Sequence, residues 1–437
     1  MSRLNKLIIL LLMVLSQQAI SQNYYNSPYT RFEIGDLINT GFAYNKAMGG
    51  SSIALRPQNQ INYLNPASYT SQDTNSFLFQ TGLTGRYAKV SSEYDDGKSL
   101  NFNIDYVAIG FPVTKWWSAS IGVTPFSRIQ YNLSEDVFDP SIGESMTYEY
   151  KGFGGLNEFY LGTAFEIKNM LSVGANAGYI FGTLDRKQSS YLTEYTAYSA
   201  LISHSTNYIA GDFYFKLGAQ FYPVIKEKHK FVLGVTYDVE SNIDVKEKAS
   251  TMRYNTTASI STGQTPYTDS LNYRLDTLQP FVLPAKIGLG FSYTYNDILT
   301  VTGEYIKQDW TGTEIVSSAF RTNIYESYRF GIEYTPASVA ERNRVGYLKR
   351  MNYRIGGDFT NNYIAHSSGN ISSKGLSVGV GFPVKNYRKM FTGTTFNIGY
   401  NYGQRGKTED RLIKENYHII TFGLTLHDFW FLKPKYD

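Results

Sequence analysis

The side chains of this chain that have types suited to chemistry are few, and their spacing does not suit it. A glycine-rich run, Gly152-Phe153-Gly154-Gly155, has the small residues of a phosphate-cradling loop but lacks the following Lys-Ser/Thr and a strand-to-helix setting. Gly152, Gly154 and Gly155 are read instead as points where a strand kinks or admits a neighbouring backbone. The five histidines, His204, His229, His366, His418 and His427, show no metal-ligand spacing. The acidic pairs Asp95-Asp96 and Glu409-Asp410 read as solvated loop charges rather than calcium ligands. No G-x-S-x-G elbow occurs. The chain has no Cys, which excludes disulfides, thiolate metal sites and lipoprotein processing. The expectation is a protein that is not an enzyme, with no catalytic residue, no metal and no cofactor.

The pattern that does repeat belongs to the elements rather than to any site. In Tyr417 to Leu426, Ile420, Phe422, Leu424 and Leu426 fall on one face, and Thr421, Gly423 and Thr425 on the other. Ile209 to Phe221 repeats the arrangement, with Phe213, Phe215, Leu217 and Phe221 against Asp212, Lys216 and Gln220. Segments of about ten residues that alternate in this way, split by polar turns, are what a transmembrane β-barrel requires. In lipid every backbone group must be paired, so such a sheet has to close. Of the 437 residues 16% are aromatic, with 38 Tyr and 38 Gly, which suits aromatic girdles and small inward positions. Mean hydropathy is -0.30 because half of each strand faces the lumen.

Ahead of the strands, Arg3 and Lys6 precede the apolar block Leu7 to Leu15, and Ala19-Ile20-Ser21 offers a small-x-small cleavage site. Residues 1–21 are therefore expected to be a signal peptide, too short to anchor the chain. With that leader removed the charge is close to neutral, and no basic cluster suggests nucleic acid.

About fourteen strands are expected, the first near Ser76 and the last ending at Leu426. Tight connections fall between strands two and three and, at Asn296-Asp297, between eight and nine. Lys187 to Asn207 and Lys246 to Pro280 read as long external loops, so the parity is that of a barrel with short periplasmic turns. Pro336 to Arg350, carrying Glu341, Arg342, Arg344, Lys349 and Arg350, is a longer periplasmic connection than expected. Trp116-Trp117 reads as an anchor at the membrane interface. Phe429-Trp430-Phe431, followed by a short tail, reads as part of the interface belt.

Residues 22–75 break the alternation. Their apolar content, including Phe32, Ile34, Phe42, Met48, Ile53 and Leu64, favours a plug folded into the lumen over a solvated tail. Within it, Met48, Gly49 and Gly50 and the triplet Asn65, Pro66 and Ala67 are the candidate hatch or gate residues.

Lys46-Ala47-Met48-Gly49-Gly50, then Ser51, Ile53, Ala54 and Leu55, then Asn65-Pro66-Ala67, resemble the amino-terminal hatch of the FadL/TodX family of outer-membrane transporters. Gly154 to Gly162 and Pro284 to Tyr295 extend the resemblance over the mature chain. Tyr328 to Pro336, Gly403 to Gly406, Leu412 to Tyr417 and Asp428 to Tyr436 mark a lineage-specific branch of it. The resemblance implies a fourteen-stranded barrel with an internal hatch. It also implies a route: capture at an outer groove, passage to an apolar pocket beside the hatch, and exit through a lateral gap into the bilayer.

The expected domains are thus a leader (1–21), a lumenal hatch (22–75) and an all-β transmembrane antiparallel barrel with a short tail (76–437). The expected function is passive, hatch-gated transport of small hydrophobic, fatty-acid-like molecules across the outer membrane of a Gram-negative bacterium. Expected partners are membrane lipid, the hydrophobic ligand and, during biogenesis, the barrel-assembly machinery. Two rivals stand beside it. One is a docking subunit of a secretion or surface machinery, as in the PorV-type relatives, with Glu341 to Arg350 and Lys246 to Pro280 as contact surfaces. The other is a general porin with an open lumen.

Overall fold

The computed structural model describes residues 27–38, 40–93, 95–194, 200–226, 228–255, 267–277, 280–313, 321–338, 344–366, 369–384, 394–409 and 412–429. The expected leader, Glu341, Arg342, Asp410, Trp430, Phe431 and the tail lie outside them.

Fourteen antiparallel strands close into a barrel. They are β1 (Ser76–Ser91), β2 (Asp96–Pro112), β3 (Trp117–Asp139), β4 (Glu144–Ile167), β5 (Leu171–Leu192) and β6 (Ala200–Phe221). β7 runs in two parts, His229–Asp238 and Val245–Asn255, and so does β8, Tyr267–Thr277 and Lys286–Tyr295. The circuit continues through β9 (Leu299–Asp309), β10 (Ile324–Tyr334), β11 (Asn352–His366), β12 (Gly369–Pro383), β13 (Thr395–Arg405) and β14 (Lys414–Phe429). β14 pairs with β1 from Ser76↔Phe429 to Ser91↔Lys414, which leaves no open edge at the ends of the circuit. Among the described residues no helix is long and apolar enough to cross a membrane.

The alternation predicts the pleat. On β14, Ile420, Phe422 and Leu426 are exposed on the outer wall, while Thr421 and Thr425 are buried on the inner one. On β6, Phe213, Phe215, Leu217 and Phe221 face outward, and Lys216 and Gln220 are buried inward. Lys or Arg on the lipid side costs about 2–4 kcal/mol at the midplane, so the polar set is confined to the lumen. At the periplasmic rim Trp116 stacks on Trp117 and on Phe165. Asn296 and Asp297 both adopt positive φ, which matches the twist of a two-residue hairpin between β8 and β9.

The two long external loops are corrected. β5 runs on to Leu192 and β6 begins at Ala200, which takes most of Lys187 to Asn207 into the sheet. Within Lys246 to Pro280, the described residues pair antiparallel from Lys246↔Thr277 to Tyr254↔Tyr267. Above the membrane both faces of a strand meet water. Polar residues then occupy both, and the period of two that marks a strand disappears.

Residues 27–75 lie inside the barrel. The segment has little regular structure: short 3-10 turns at Pro28–Arg31 and Pro66–Ser71, one helical turn at Ala43–Lys46, and a two-residue ladder at Asp36–Leu37. Tyr29, Ile34, Phe42, Met48, Ile53, Ile61 and Tyr69 are all buried against the inner wall. Above it, Ser241–Ile243 and Phe281–Leu283 leave the ladders of β7 and β8 and pair with each other. They join Trp310 and Tyr363 in an apolar layer that also takes in Tyr29, Phe32 and Ile34.

Candidate functional site

The lumenal segment is bound to the wall by hydrogen bonds around the circuit. Glu304 on β9 accepts from the backbone N–H groups of Ser52 (2.7 Å) and Ile53 (2.9 Å). Arg329 on β10 donates to the Gly50 carbonyl at 3.2 Å and pairs with Glu304 at 3.2 Å. Ser377 on β12 accepts from the Gly49 N–H at 2.8 Å, and Gln220 on β6 donates to the Ile53 carbonyl at 2.8 Å. Asn176 on β5 accepts from the Tyr69 hydroxyl at 2.9 Å and donates to the Tyr63 carbonyl at 3.0 Å. Gln80 on β1 accepts from the Ile61 N–H at 2.8 Å. A segment poor in ladders thus has its backbone groups satisfied by inward side chains.

The two candidate gate clusters rest on nearly opposite walls. Met48 and Gly49 lie against Gly356 and Gly357 of β11, so closely that a Cβ on Gly356 would overlap the Met48 and Gly49 backbone. Gly49 itself has φ +67°, a turn conformation in which a side chain is strained. Asn65 caps the Pro66–Ser71 turn by accepting from the Ala67 N–H at 3.1 Å, and donates to the Ile53 carbonyl at 2.6 Å. Pro66 and Ala67 pack on Gly174 of β5, where a Cβ would again strike backbone. Of the kink candidates, Gly154 has φ +113° and Gly155 abuts the Ser127 carbonyl of β3, while Gly152 lies under the Tyr131 ring.

One stretch of the wall is not a continuous ladder. β2 and β3 pair only from Val107↔Val123 to Pro112↔Ser118. Beyond that point β2 stays with β1 and β3 stays with β4. Both strands change register where they part, between Gly82 and Leu83 in the β1–β2 ladder and between Pro125 and Ser127 on β3. Pro125 has no N–H to give to a neighbour, which suits a parting edge. The shift on β2 turns two consecutive residues inward, Asp105 and Tyr106, both buried.

The freed edge of β3 is occupied by the lumenal segment. Asp36 and Leu37 pair with Arg128 and Ser127, and the Ser27 N–H donates to the Gln130 carbonyl at 3.1 Å. Across the seam itself, Asn101 donates to the Gln130 side chain at 3.0 Å and Arg128 to the Asn103 side chain at 3.4 Å. On the lipid side of β2, Phe102 and Ile104 are 68% and 69% exposed, flanked by β1 on one side and by no strand on the other.

Behind the seam is a cavity of 280 Å³ between the lumenal segment and the wall. The pocket implied by the family resemblance is apolar; this cavity combines apolar lining, from Leu37, Ile38, Tyr400, Tyr417 and Ile419, with charged groups. It is lined by Lys46, Arg86, Arg128, Arg329 and Arg405, by Asp36, Asp105 and Asp358, and by Asn and Thr side chains. Other apolar residues of the segment pack in the layer above and in the cluster of Phe42, Tyr63 and Tyr106, where Phe42 stacks on Tyr106 at 3.8 Å. Sequence reasoning missed the seam; Pro125 within a strand is the local signal that could have marked it. The cavity left none, because its walls come from strands far apart in the chain.

The family model described as BamG matches residues 3–437. No curated protein matches the chain. Among solved structures, the Pseudomonas putida toluene transporter TodX superposes with a TM-score of 0.60 at 13% identity, over 90% of this chain and 99% of that one. A Pseudomonas aeruginosa FadL homologue gives the same values, 0.60 and 13% over 90% and 99%. The Ralstonia pickettii toluene transporter TbuX gives 0.58 and 13% over 89% and 98%. At such identities the likeness establishes the fold, and on that level the FadL/TodX resemblance holds.

Proposed function

Because the chain belongs to the BamG family and has the fold of FadL-type channels, we propose that it is a passive outer-membrane channel for small hydrophobic, fatty-acid-like molecules. The lumenal segment blocks the straight path and gates it, with Met48 to Gly50 and Asn65 to Ala67 as its two bearing points. The observation that carries this reading is the interrupted ladder between β2 and β3. It offers a way from the lumen into the bilayer, held by two side-chain hydrogen bonds instead of a backbone ladder. The structural neighbours TodX and TbuX are described as toluene transporters, which supports a membrane-partitioning cargo. The filled lumen speaks against a general porin.

A second reading, docking of a partner protein, is favoured by one observation. At the periplasmic end the turn Tyr347–Arg350 exposes Tyr347 and Leu348 beside Arg344, Lys349 and Arg350. Gentle purification followed by lipid extraction and mass spectrometry separates the two. A retained amphipathic molecule is the expected result. A barrel free of such molecules but holding a stoichiometric protein partner would replace transport with docking.

A further inference from the structure

On the outer face of β12, β13, β14, β1 and β2 the register sets five residues side by side: Lys374, Gln404, Asn416, Lys89 and Lys98. Neighbouring strands are about 5 Å apart, so this row spans about 20 Å of the wall without a gap. Two residues nearer the periplasm, the same strands carry Leu376, Tyr402, His418, Tyr87 and Leu100 in a second row. The Tyr400 hydroxyl lies 2.7 Å from His418 Nδ1, and the Tyr402 and His418 rings are 5.1 Å apart. Below them Ile420, Phe422, Phe102 and Ile104 are exposed. Hydrocarbon, aromatic belt and charged head groups follow one another in this order at a membrane interface. This interface lies at the end of the strands away from Trp116 and the periplasmic rim. The lysine row therefore stands at the head groups of the outer leaflet.

The charge there is one-sided. The next position outward adds Lys414, which faces Ser91, and Ser91 in turn faces Asp96. Asp96 is bonded to Lys89 at 2.7 Å. Among the described residues Lys98, Lys374 and Lys414 have no carboxylate within 4.0 Å. Four ammonium groups thus share one carboxylate on these two rows.

We propose that this face binds a phosphorylated glycolipid of the outer leaflet. Lys374 and Lys98 at the two ends of the row, and Lys414 above its middle, pair with phosphate oxygens through charge-assisted hydrogen bonds. Gln404 and Asn416 lie between them. Their amides both donate and accept, as sugar hydroxyls do, whereas a bare phosphate offers acceptors only. The acyl chains run down the wall along Ile420, Phe422 and Phe102. A neutral head group leaves three ammonium groups to water alone, so the phosphate carries the selectivity. The assignment needs the barrel to sit in the outer membrane and is independent of any path through the seam.

The test uses the full-length protein in an uncharged detergent. It is mixed with lipid A, with the same lipid stripped of its phosphate, or with phosphatidylglycerol, and the bound lipid is counted by native mass spectrometry. Inorganic phosphate is added as a soluble competitor. Lipid A should be retained roughly tenfold or more over its phosphate-free form, the size expected of a few lysines at a membrane surface, with phosphatidylglycerol between the two. The combined variant Lys98→Gln, Lys374→Gln, Lys414→Gln should bind both forms of lipid A alike. The matching variant with Arg at all three positions should keep the preference, which guards against loss by misfolding. Equal retention of the two forms by the wild type, or a glutamine variant that still prefers lipid A, overturns the proposal. Phosphatidylglycerol held as tightly as lipid A overturns the sugar contacts, and lipid A displaced by an equal concentration of inorganic phosphate overturns the lipid as the occupant.

Discussion

Removal of Tyr25 to Gln60 turns the barrel into an open pore, with stable single-channel steps in planar bilayers where the intact protein is closed. The deleted residues hold Met48, Gly49, Ile53 and Leu55, which fill the lumen, and Tyr29, Phe32 and Ile34, which supply the lumenal side of the apolar layer. Where the segment is hydrogen-bonded to it, the wall is polar: Gln80, Asn176, Gln220, Glu304, Arg329 and Thr425. Water replaces the lost hydrogen-bond partners of these groups at little net cost, since each bond is an exchange rather than a pure gain. The shell survives because the β1–β14 ladder and its neighbours do not run through the segment, whose one ladder to the wall is Asp36–Leu37 on β3. A deletion variant that folds and stays closed would show that the apolar layer, not the segment, is the barrier.

The second large effect is energetic. Glu304 and Arg329 are an ion pair with side-chain exposures of 0% and 2%. Glu304→Ala leaves the guanidinium buried without its counter-ion, which costs about 3–5 kcal/mol, and it strips the acceptor from the Ser52 and Ile53 N–H groups. Because those two donors belong to the lumenal segment, the loss concentrates there. Hydrogen exchange of residues 48–55 should rise by orders of magnitude while the β1–β14 ladder stays protected. Glu304→Gln keeps an oxygen for the two N–H groups but not the charge, and should fall between. Unchanged protection in Glu304→Ala would mean that the segment is held by its other contacts alone.

Much of the barrel was legible in sequence because lipid imposes one rule on every strand it touches. Phe213, Phe215, Leu217 and Phe221 must face out and Lys216 and Gln220 must not, so a period of two survives wherever the wall meets hydrocarbon. The same rule explains what was illegible. Val245–Asn255 and Tyr267–Thr277 rise above the membrane, where Lys246, Glu247, Arg274 and Asp276 can occupy either face, and their pairing leaves no periodic trace. The seam was not read from the sequence: Pro125 is a local mark of it, but where a strand parts from its neighbour depends on register between strands. The cavity was hidden altogether. Arg128, Asp358 and Arg405 line one cavity only because β3, β11 and β13 belong to one closed circuit.

On the proposed route, cargo passes through the seam between β2 and β3. As the chain has no cysteine, Asn101→Cys with Gln130→Cys puts one thiol on each side of the opening and none elsewhere. Joining them with a short, reducible cross-linker locks the seam, and uptake of a labelled long-chain amphiphile into proteoliposomes reads the result. Uptake should fall to the level of protein-free vesicles when the link is closed and return when it is reduced. Undiminished uptake through the locked protein would contradict a lateral route and place the path along the barrel axis.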